Sequence, residues 1–258
     1  MNMKSLKRQI AETVSLIVKN DNVVLFTGAG ISTASGLPDF RGPDGVWTRR
    51  DKGLPPPAPT VPHGKIKPNA THQAIVDLEK AGKVSFLISQ NVDGLHLDSG
   101  FPIEKLAELH GNKNLVMCIE CERKCTKEEA GWDDRIHGKG YRIDDPLPGQ
   151  PRCFACNGRM ISSIVNFKDP LPTKDFREAM NHSRNCDLFI VLGSSLVVNP
   201  AARMVAVAKR NGATLIINNL GDTPYDAMAD LLVTRDINDY FPAVVRNFLD
   251  HQAQVQEP

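Results

Sequence analysis

The sequence predicts an α/β fold in which helices cover both faces of a parallel β-sheet. The first observation is a set of apolar runs of strand length, at residues 23–26, 85–89, 188–192 and 214–218. The second is helix-like sequence before these runs, as at residues 74–82 and 201–212, with the run at 188–192 as the exception. Strands that alternate with helices are typical of such a sheet. At 258 residues, 41% of them hydrophobic, the chain is long enough for one core with an inserted lobe.

Two glycines follow the first apolar run at once. Gly28 and Gly30 stand where a strand must turn tightly and where backbone N–H groups can approach a phosphate. This pattern opens a dinucleotide-binding loop, so we expect the sheet to be Rossmann-like. Thr33 replaces the third glycine of the dehydrogenase fingerprint, and no acidic residue closes a clear second strand about twenty residues further on. The cofactor site is therefore expected to serve a chemistry other than hydride transfer.

Polar or glycine-rich loops follow the other three apolar runs as well. Ligands of parallel sheets bind beyond the carboxyl ends of the strands, so we expect the four loops to converge on one crevice. The candidate ligand-binding residues in these loops are Gly28, Ala29, Gly30, Gln90, Asn91, Asp93, Gly193, Ser194, Ser195, Asn219, Leu220 and Gly221.

Two segments interrupt the alternating pattern. Residues 36–67 are rich in proline and glycine and are predicted to form a mobile cofactor-binding loop or helical lobe. Residues 118–160 carry paired cysteines and little periodicity, and they are predicted to form a small inserted lobe. The sheet domain would then comprise residues 1–117 and 161–258.

Four cysteines stand in two C-x-x-C pairs, Cys118 with Cys121 and Cys153 with Cys156. Each pair can present two thiolates from one turn, and two pairs complete a tetrahedral zinc site. Because four thiolates leave no open position for water, the predicted zinc is structural. The alternative is four unligated thiols, which would leave this polar lobe without an obvious core.

Composition argues against several classes of function. Positive and negative charges nearly balance, with a net charge of +1, whereas proteins whose main task is to bind nucleic acid are usually basic. The longest apolar stretches are far shorter than a membrane span, so no membrane partner is expected. Residues 13–18 are too short for the apolar core of a signal peptide and fit an amphipathic first helix. Paired cysteines favour a reducing compartment, for which we expect the cytoplasm, with the nucleus as the alternative.

His110 is the first candidate for acid–base chemistry. It lies just before the cysteine lobe and after the loop at residues 90–93, where a crevice between two lobes is expected. His96 is a weaker candidate beside the same loop. The remaining histidines, at positions 63, 72, 137, 182 and 251, are expected to be exposed or to pack against neighbours. Cys125 and Cys186 are expected to be an incidental thiol and a core residue.

Two pairs of polar residues each allow a second interpretation. Asp39 and Arg41 flank Phe40 in the loop after the glycines, where they could form an ion pair within the loop. Asn91 and Asp93 could hydrogen-bond their own backbone as turn residues. Their place at the carboxyl end of a strand instead favours contact with a ligand.

Taken in order along the chain, these residues resemble the sirtuins, the NAD-dependent protein lysine deacylases. The resemblance runs from about residue 20 to residue 240 and rests on an ordered set of short motifs, none of which is decisive alone. The motifs lie at residues 28–32, 36–42, 90–96, 109–111, 193–196 and 217–220, together with the two cysteine pairs.

The resemblance implies NAD as co-substrate, a structural zinc, and an acyl-lysine protein or peptide as partner. In this family the acyl oxygen attacks the anomeric carbon of the nicotinamide ribose, and nicotinamide, free lysine and O-acyl-ADP-ribose are released. His110 matches the general base that activates a ribose hydroxyl, a task that suits a group with a pKa near neutral pH. Asn91 and Asp93 match the nicotinamide pocket, where Asp93 would hold the carboxamide, and Gln90 matches a ribose contact.

The resemblance also assigns the two ends of the cofactor site. The mobile loop, in which an aromatic residue shields the reacting face, is matched by Ala29, Thr33, Asp39, Phe40, Arg41 and Trp47. The adenosine side is matched by the residues after the third and fourth apolar runs and by one residue further along, namely Gly193, Ser194, Ser195, Asn219, Leu220, Gly221 and Ile237.

One segment departs from the commonest sirtuin pattern. After the zinc lobe many sirtuins carry an apolar strand that ends in Phe-Gly-Glu, and residues 164–172 replace it here. With residues 42–47, this segment places the resemblance closest to the branch that contains the chromatin-associated mammalian sirtuins, so acetyl and long-chain acyl groups both remain candidates. Arg49 and Arg50 lack the tyrosine of a Tyr-x-x-Arg pair, so removal of succinyl groups is not expected.

Two other functions remain open from the sequence. A mono-ADP-ribosyltransferase would use the same site and let an acceptor side chain capture the activated ribose. A zinc-ribbon module that binds nucleic acid predicts a basic stripe with aromatic residues near the cysteine pairs. The acidic residues Asp133, Asp134, Asp144 and Asp145 fit that prediction poorly.

Overall fold

The computed structural model describes residues 3–138, 142 and 145–256, so Asp144 and the side chain of His63 lie outside the described part. In chain order the helices and strands are α1 (Met3–Lys19), β1 (Val23–Thr27), α2 (Val46–Asp51), α3 (Ala70–Lys80), β2 (Val84–Ser89), α4 (Leu95–Asp98), β3 (Leu106–Glu108), β4 (Leu115–Cys118), β5 (Lys124–Thr126), α5 (Asp134–His137), β6 (Met160–Ser162), α6 (Thr173–Asn185), β7 (Leu188–Leu192), α7 (Arg203–Arg210), β8 (Thr214–Asn218), β9 (Leu231–Val233) and α8 (Ile237–Gln256).

Six strands form one parallel sheet in the order β3-β2-β1-β7-β8-β9. The four predicted strands are its central members, and the fold class is confirmed. Nearly every residue of β1, β2, β7 and β8 is buried, which explains why the sequence shows continuous apolar runs rather than alternation. The short edge strands β3 and β9 were not predicted, because three residues give no periodic signal.

Helices lie on both faces of this sheet. On one face, α1, α3 and α8 bury side chains such as Ile17, Leu78 and Val244 against the strands. On the other face, α6 and α7 bury Ala179 and Met204. The two apolar layers enclose the sheet, as the pattern of alternating strands and helices predicted.

Helix α6 contradicts one prediction, because it precedes β7, the strand for which no helix-like sequence was expected. Its buried stripe is narrow. It consists of Ala179 and Ser183 with Phe176 and Met180 packed beside them, and the rest of the helix is polar. So weak an apolar stripe does not stand out from loop sequence.

A second, antiparallel sheet of three strands, in the order β5-β4-β6, forms the small lobe. Its core is a separate cluster of Val116, Cys118, Trp132, Cys153 and Met160. The strands begin a few residues before position 118 and end just after position 160, so the sheet extends slightly beyond the limits given by the cysteines.

The chain changes direction between β1 and β7, which positions the candidate site. From β1 the chain continues to β2 and β3 on one side, and it returns through β7 to β8 and β9 on the other. A crevice at the carboxyl ends of the strands is the usual binding place at such a point. Within the described residues, no helix is both long and apolar enough to cross a membrane.

Candidate cofactor site and metal centre

The glycine loop lies directly against the loop that follows β7. The amide of Gly28 donates to the carbonyl of Leu192 at 3.0 Å, and the amide of Gly30 donates to the carbonyl of Gly193 at 2.9 Å. A Cβ atom at Gly28 would come within 2.7 Å of the Gly193 oxygen, so this approach requires glycine. The chain then enters a 3-10 helix, Ala29–Ser35, in which Thr33 is exposed. Because the loop leads into this 3-10 helix and not into the α-helix of the dehydrogenase fingerprint, the third glycine is not needed at position 33.

A cavity of about 790 Å³ opens at this point, beyond the carboxyl ends of the strands. Its volume lies in the range of pockets that hold small molecules and cofactors. All but one of the cofactor-binding candidates line it, namely Gly28, Ala29, Gly30, Thr33, Asp39, Phe40, Arg41, Trp47, Gln90, Asn91, His110, Gly193, Ser194, Ser195, Asn219, Leu220, Gly221 and Ile237. The exception is Asp93.

Asp93 lies behind the cavity wall. Its Oδ2 accepts a hydrogen bond from Ser32 Oγ at 2.7 Å, and its Oδ1 accepts from the amide of Leu95 at 3.0 Å. The second bond is the turn interaction that was one of the two interpretations of this residue. Asn91 lines the cavity and donates to the carbonyl of Gly28 at 3.1 Å. Asp93 is therefore linked to the lining through Ser32, whose Oγ accepts from Asn91 Nδ2 at 3.3 Å, while Asn91 contacts the glycine loop directly.

His110 is held in one tautomer by a backbone carbonyl. Its Nδ1 lies 2.9 Å from the oxygen of Gln90, and because a carbonyl only accepts, Nδ1 carries the proton. The lone pair is then on Nε2. Burial lowers the pKa of His110, against the opposing effect of this hydrogen bond. The imidazole is therefore neutral at neutral pH and able to accept a proton.

Two other histidines support the glycine loop from inside the protein. His96 is 2% exposed, does not line the cavity, and bonds Thr27 Oγ1 through Nε2 at 2.9 Å. Burial lowers its pKa well below the usual value, and because the ring does not reach the cavity, the structure does not support His96 as a rival to His110. His72, also buried, completes the cap of α3 at Asn69, whose Nδ2 donates to the carbonyl of Ile31 at 2.7 Å.

The loop lobe brings Asp39, Phe40 and Trp47 to the cavity. Asp39 Oδ1 accepts from the amide of Gly42 at 2.8 Å and so shapes the turn. Among the described residues it forms no ion pair with Arg41, so the alternative interpretation of this pair is not supported. The rings of Phe40 and Trp47 stack with centroids 5.7 Å apart, which places an aromatic wall beside the cavity.

Sequence reasoning missed several residues of the lining. Asn218, the last residue of β8, is buried, and its Oδ1 has no hydrogen-bond partner within the described structure. Its Nδ2 is already used by the carbonyls of Val233 and Arg235, so the oxygen is free to accept from a ligand. Arg235 and Asp236 follow β9, and recognising that strand would have identified them. The other missed lining residues are Gly42, Pro43, Thr48, Val92, Val165, Asn166, Phe167, Lys168, Asp169, Leu171, Val198, Asn199, Pro200 and Asp222.

The four paired cysteines form one cluster, in which all Sγ atoms lie within 4.8 Å of one another. Two of these separations are 3.4 Å, for Cys118 with Cys156, and 3.7 Å, for Cys121 with Cys153. A zinc ion bound by thiolates at about 2.3 Å requires edges of about 3.8 Å, so the donor set fits zinc.

The backbone repeats the same turn after each cysteine pair. Glu122 and Asn157 both have positive φ, at 56° and 61°. Their amides donate to the carbonyls of Cys118 and Cys153, at 3.0 and 2.8 Å. Two equivalent turns that each present two sulfurs are the arrangement predicted for a closed structural site. As expected, Cys125 is outside the cluster and Cys186 is buried in the sheet domain.

Comparison with protein families identifies a match to the model of the Sir2 family over residues 56–200. The NAD-dependent protein deacetylase SRT1 of Oryza sativa subsp. indica is 41% identical over 230 residues, covering 88% of this chain and 46% of that protein. The NAD-dependent protein deacetylase of Rhodopseudomonas palustris is 36% identical, covering 94% of this chain and 98% of that protein. The Sirt6 deacetylase of Drosophila melanogaster is also 36% identical, covering 86% and 70%. The chain thus spans about half of its plant relative and nearly all of a bacterial one.

Solved structures agree with the sequence comparison. A Sir2 bound to a p53 peptide and NAD+ has a TM-score of 0.68 at 34% identity and covers 98% of this chain and 100% of that one. The structure of Sir2Af2 bound to a myristoylated histone peptide has a TM-score of 0.66 at 29% identity and covers 96% and 99%. With the glycine loop, His110 and the cysteine cluster in the places described above, these matches show that the chain belongs to the Sir2 family.

Proposed function

We propose that this protein is an NAD-dependent protein lysine deacylase that moves the acyl group of a modified lysine to ADP-ribose and releases nicotinamide. The observation that carries the proposal is the position of His110, whose neutral imidazole lies in the lining of the cavity that the glycine loop forms. A base and a dinucleotide loop in one cavity allow a ribose hydroxyl to be deprotonated. The relatives named above are deacetylases, which supports the same conclusion.

NAD fits the residues at the site. The close contact between Gly28 and Gly193 leaves backbone space that a side chain would fill, and the unpartnered Oδ1 of Asn218 offers an acceptor for a hydroxyl or amine. When bound, NAD supplies an anomeric carbon from which nicotinamide can leave. In this proposal Asn91 holds the wall of the nicotinamide pocket through Gly28, and Asp93 holds it through Ser32.

His110 would act as the general base of the reaction. Its Nδ1 proton is fixed by Gln90, so Nε2 can take a proton from a ribose hydroxyl without a change of tautomer. Because burial lowers the pKa of His110, the base form is present at neutral pH. The zinc is assigned a structural role, because all four ligand positions are occupied by cysteine.

We place the acyl-lysine substrate at the side of the cavity next to His110. There the amide of Val165 donates to the carbonyl of His110 at 3.0 Å, and Phe167, Leu171 and Val198 also line the cavity. Apolar side chains favour an apolar acyl group, either short or long, over a succinyl group. Solved Sir2 proteins have been bound to propionylated and myristoylated peptides, which supports this range. We place the reaction in the cytoplasm or nucleus, where the cysteines stay reduced.

The test is nicotinamide release from NAD in the presence of acetyl-, succinyl- and myristoyl-lysine peptides. We expect release that depends on an acetyl or myristoyl peptide, with free lysine and O-acyl-ADP-ribose identified by mass spectrometry. A protein that gains ADP-ribose instead would support the mono-ADP-ribosyltransferase. No release by zinc-loaded protein would contradict both functions.

His110→Ala is the first prediction and belongs to the same assay. Loss of the base should lower turnover by about 10²- to 10⁴-fold. NAD affinity, measured by calorimetry, should change little because the glycine loop is intact. His251→Ala, which changes an exposed histidine of α8, is the matched control. Unchanged turnover in His110→Ala would remove this residue as the base.

A further inference from the structure

A lysine of the zinc lobe lies between two carboxylates of the sheet domain. Lys124 Nζ, on β5, is 2.5 Å from Asp175 Oδ2 in the first turn of α6 and 3.9 Å from Glu108 Oε2 at the end of β3. The side chains of Lys124, Asp175 and Glu108 are 14, 13 and 5% exposed. Buried charges of this kind are costly unless they are paired, so the three groups depend on one another.

Glu108 begins the tight turn that carries His110. The carbonyl of Glu108 accepts from the amide of Gly111 at 3.0 Å, and its Oε1 accepts from Asn112 Nδ2 at 2.6 Å. Both hydrogen bonds join Glu108 to a residue that follows His110, so they span this histidine. The position of the Glu108 side chain is therefore linked to the orientation of the histidine two residues later.

The segment that leaves the zinc lobe after β6 packs against the other side of this turn. Gly111 has a φ of 81°, and a Cβ atom there would meet the Ser163 oxygen at 1.9 Å. The hydroxyl of Ser163 accepts from the amide of Asn112 at 3.0 Å and donates to its carbonyl at 2.7 Å. The turn is thus enclosed by the lobe's exit segment on one side and by the Glu108 contacts on the other.

A second contact joins the first cysteine pair to α6. Glu122, the residue after Cys121, accepts hydrogen bonds from the amides of Thr173 and Lys174 at 2.8 and 2.7 Å. It therefore caps the beginning of α6, close to Leu171 in the cavity lining. Two residues of the lobe, Glu122 and Lys124, reach the same end of this helix.

We propose that Lys124 is a positioning residue, which holds Glu108 and Asp175 together and thereby fixes the turn that carries His110 against the zinc lobe. The proposal rests on the proposed function for its kinetic consequence, since His110 must be the base for turnover to respond. Its structural consequence does not depend on any activity. The ion pairs of Lys124 reach the His110 turn and α6 and not the glycine loop, so Lys124 should affect turnover far more than NAD affinity.

Three variants test this proposal in the full chain. Lys124→Met keeps the length of the side chain and removes the charge. Lys124→Arg keeps the charge. Lys127→Met removes a lysine of the same lobe that pairs with Asp134 at the surface, and it serves as the control. For each variant we would measure zinc content, kcat, NAD dissociation constant, and hydrogen exchange of the amides of Leu109 and Gly111 without any substrate.

In Lys124→Met we expect about a tenfold loss of kcat, an NAD dissociation constant within about twofold of the original, and full zinc content. Exchange at Leu109 and Gly111, whose amides bond Ser89 and Glu108, should rise about tenfold. Lys124→Arg should recover most of both effects, and Lys127→Met should show neither. The exchange measurement decides the positioning role even if no NAD chemistry is found.

If Lys124→Met does not fold or loses zinc, the neutral combination of Lys124→Met, Glu108→Gln and Asp175→Asn removes the unpaired charges. It should retain zinc and still show faster exchange in the His110 turn. Original exchange and original kcat in a zinc-loaded variant would overturn the proposal. It would also be overturned if NAD affinity fell in step with kcat.

Discussion

The glycine-loop site and the zinc lobe are stabilised in different ways. The loop lies on a sheet with a large apolar layer on each face, and backbone contacts such as Gly30 to Gly193 fix its shape. The lobe has one small apolar cluster, in which two of the five members are cysteines of the metal site. A large core allows a site to be shaped by backbone approach, whereas a small lobe needs covalent or metal ligands to remain ordered.

The largest predicted effect is that of Cys153→Ser, which tests whether the zinc lobe depends on its metal. Removal of one thiolate should release the metal, and thiolate–zinc binding supplies about 10–16 kcal/mol in small zinc domains. We expect the amides of β4 to exchange rapidly while those of β1 and β7 stay protected. Zinc analysis and residue-resolved hydrogen exchange measure both outcomes.

The control for that experiment is Cys125→Ser, which changes a cysteine of the same lobe outside the cluster. It should keep the metal and the exchange pattern. Full zinc content and an unchanged melting temperature in Cys153→Ser would contradict a structural metal site.

The next effect concerns the backbone approach at the glycine loop. In Gly30→Ala the new Cβ would lie 2.8 Å from Gly193 Cα, and since both are backbone positions, the two loops must separate. Overpacking of this kind costs up to about 3 kcal/mol, so NAD affinity should fall by about 100-fold. Calorimetry should show the loss, while zinc content stays unchanged.

Gly64→Ala is the matched control, because a Cβ atom there meets nothing within 4 Å. It should bind NAD as the original protein does. Equal affinities for the two variants would show that the close contact between the loops is not needed for the site.

A smaller effect is expected from Asp93→Ala. Ser32 loses the acceptor that holds it behind the cavity wall, and a hydrogen bond to a charged group contributes about 1.5–3 kcal/mol. NAD affinity should therefore fall at least tenfold, with little change in peptide affinity. Asp98→Ala, at an exposed position of the same segment, is the control. A larger loss of peptide affinity than of NAD affinity would contradict the placement of Asp93 at the nicotinamide end.

The smallest effect lies at the junction of the two regions. Burial raises the pKa of Glu108 to about 7, against the opposing effects of Lys124 and Asn112. The folded protein thus binds this proton more tightly than the unfolded chain, in which the pKa is near 4.5. The stabilising contribution is fully present below pH 4.5 and is lost as the pH rises through about 7.

Glu108→Gln removes this titration. From pH 6 to pH 8 the free energy of unfolding of the variant, relative to the original protein, should rise by about 1 kcal/mol. Denaturant titrations at several pH values measure the difference, and taking the difference cancels groups that titrate in both proteins. A constant difference over this range would show that Glu108 does not titrate there.

The elements that could be predicted from sequence are those with a dense local signal. Strands β1, β2, β7 and β8 are buried on both faces and appear as apolar runs. The cysteine pairs are equally direct, because two C-x-x-C turns define a donor set by their spacing. Helix α6 and strands β3 and β9 were missed, since a narrow apolar stripe or three residues carry too little periodicity.

Several features of the candidate site have no local signal at all. Nothing in the sequence around His96 distinguishes a buried partner of Thr27 from a base. Asp93 was placed in the nicotinamide pocket by resemblance, and only the fold shows that it lies outside the cavity lining and bonds Ser32. The pairing of Lys124 with Glu108 and Asp175 joins three elements far apart in the chain.

The sequence by itself determined the α/β class, the cysteine ligand set and the chemistry-bearing residues at the strand ends. These depend on residue type and short spacing, which the chain carries locally. Only the tertiary structure decided which nitrogen of His110 is free, which histidines are buried, and how the zinc lobe contacts the turn that carries His110. Burial and hydrogen-bond partners are set by contacts between distant segments, and no local pattern encodes them.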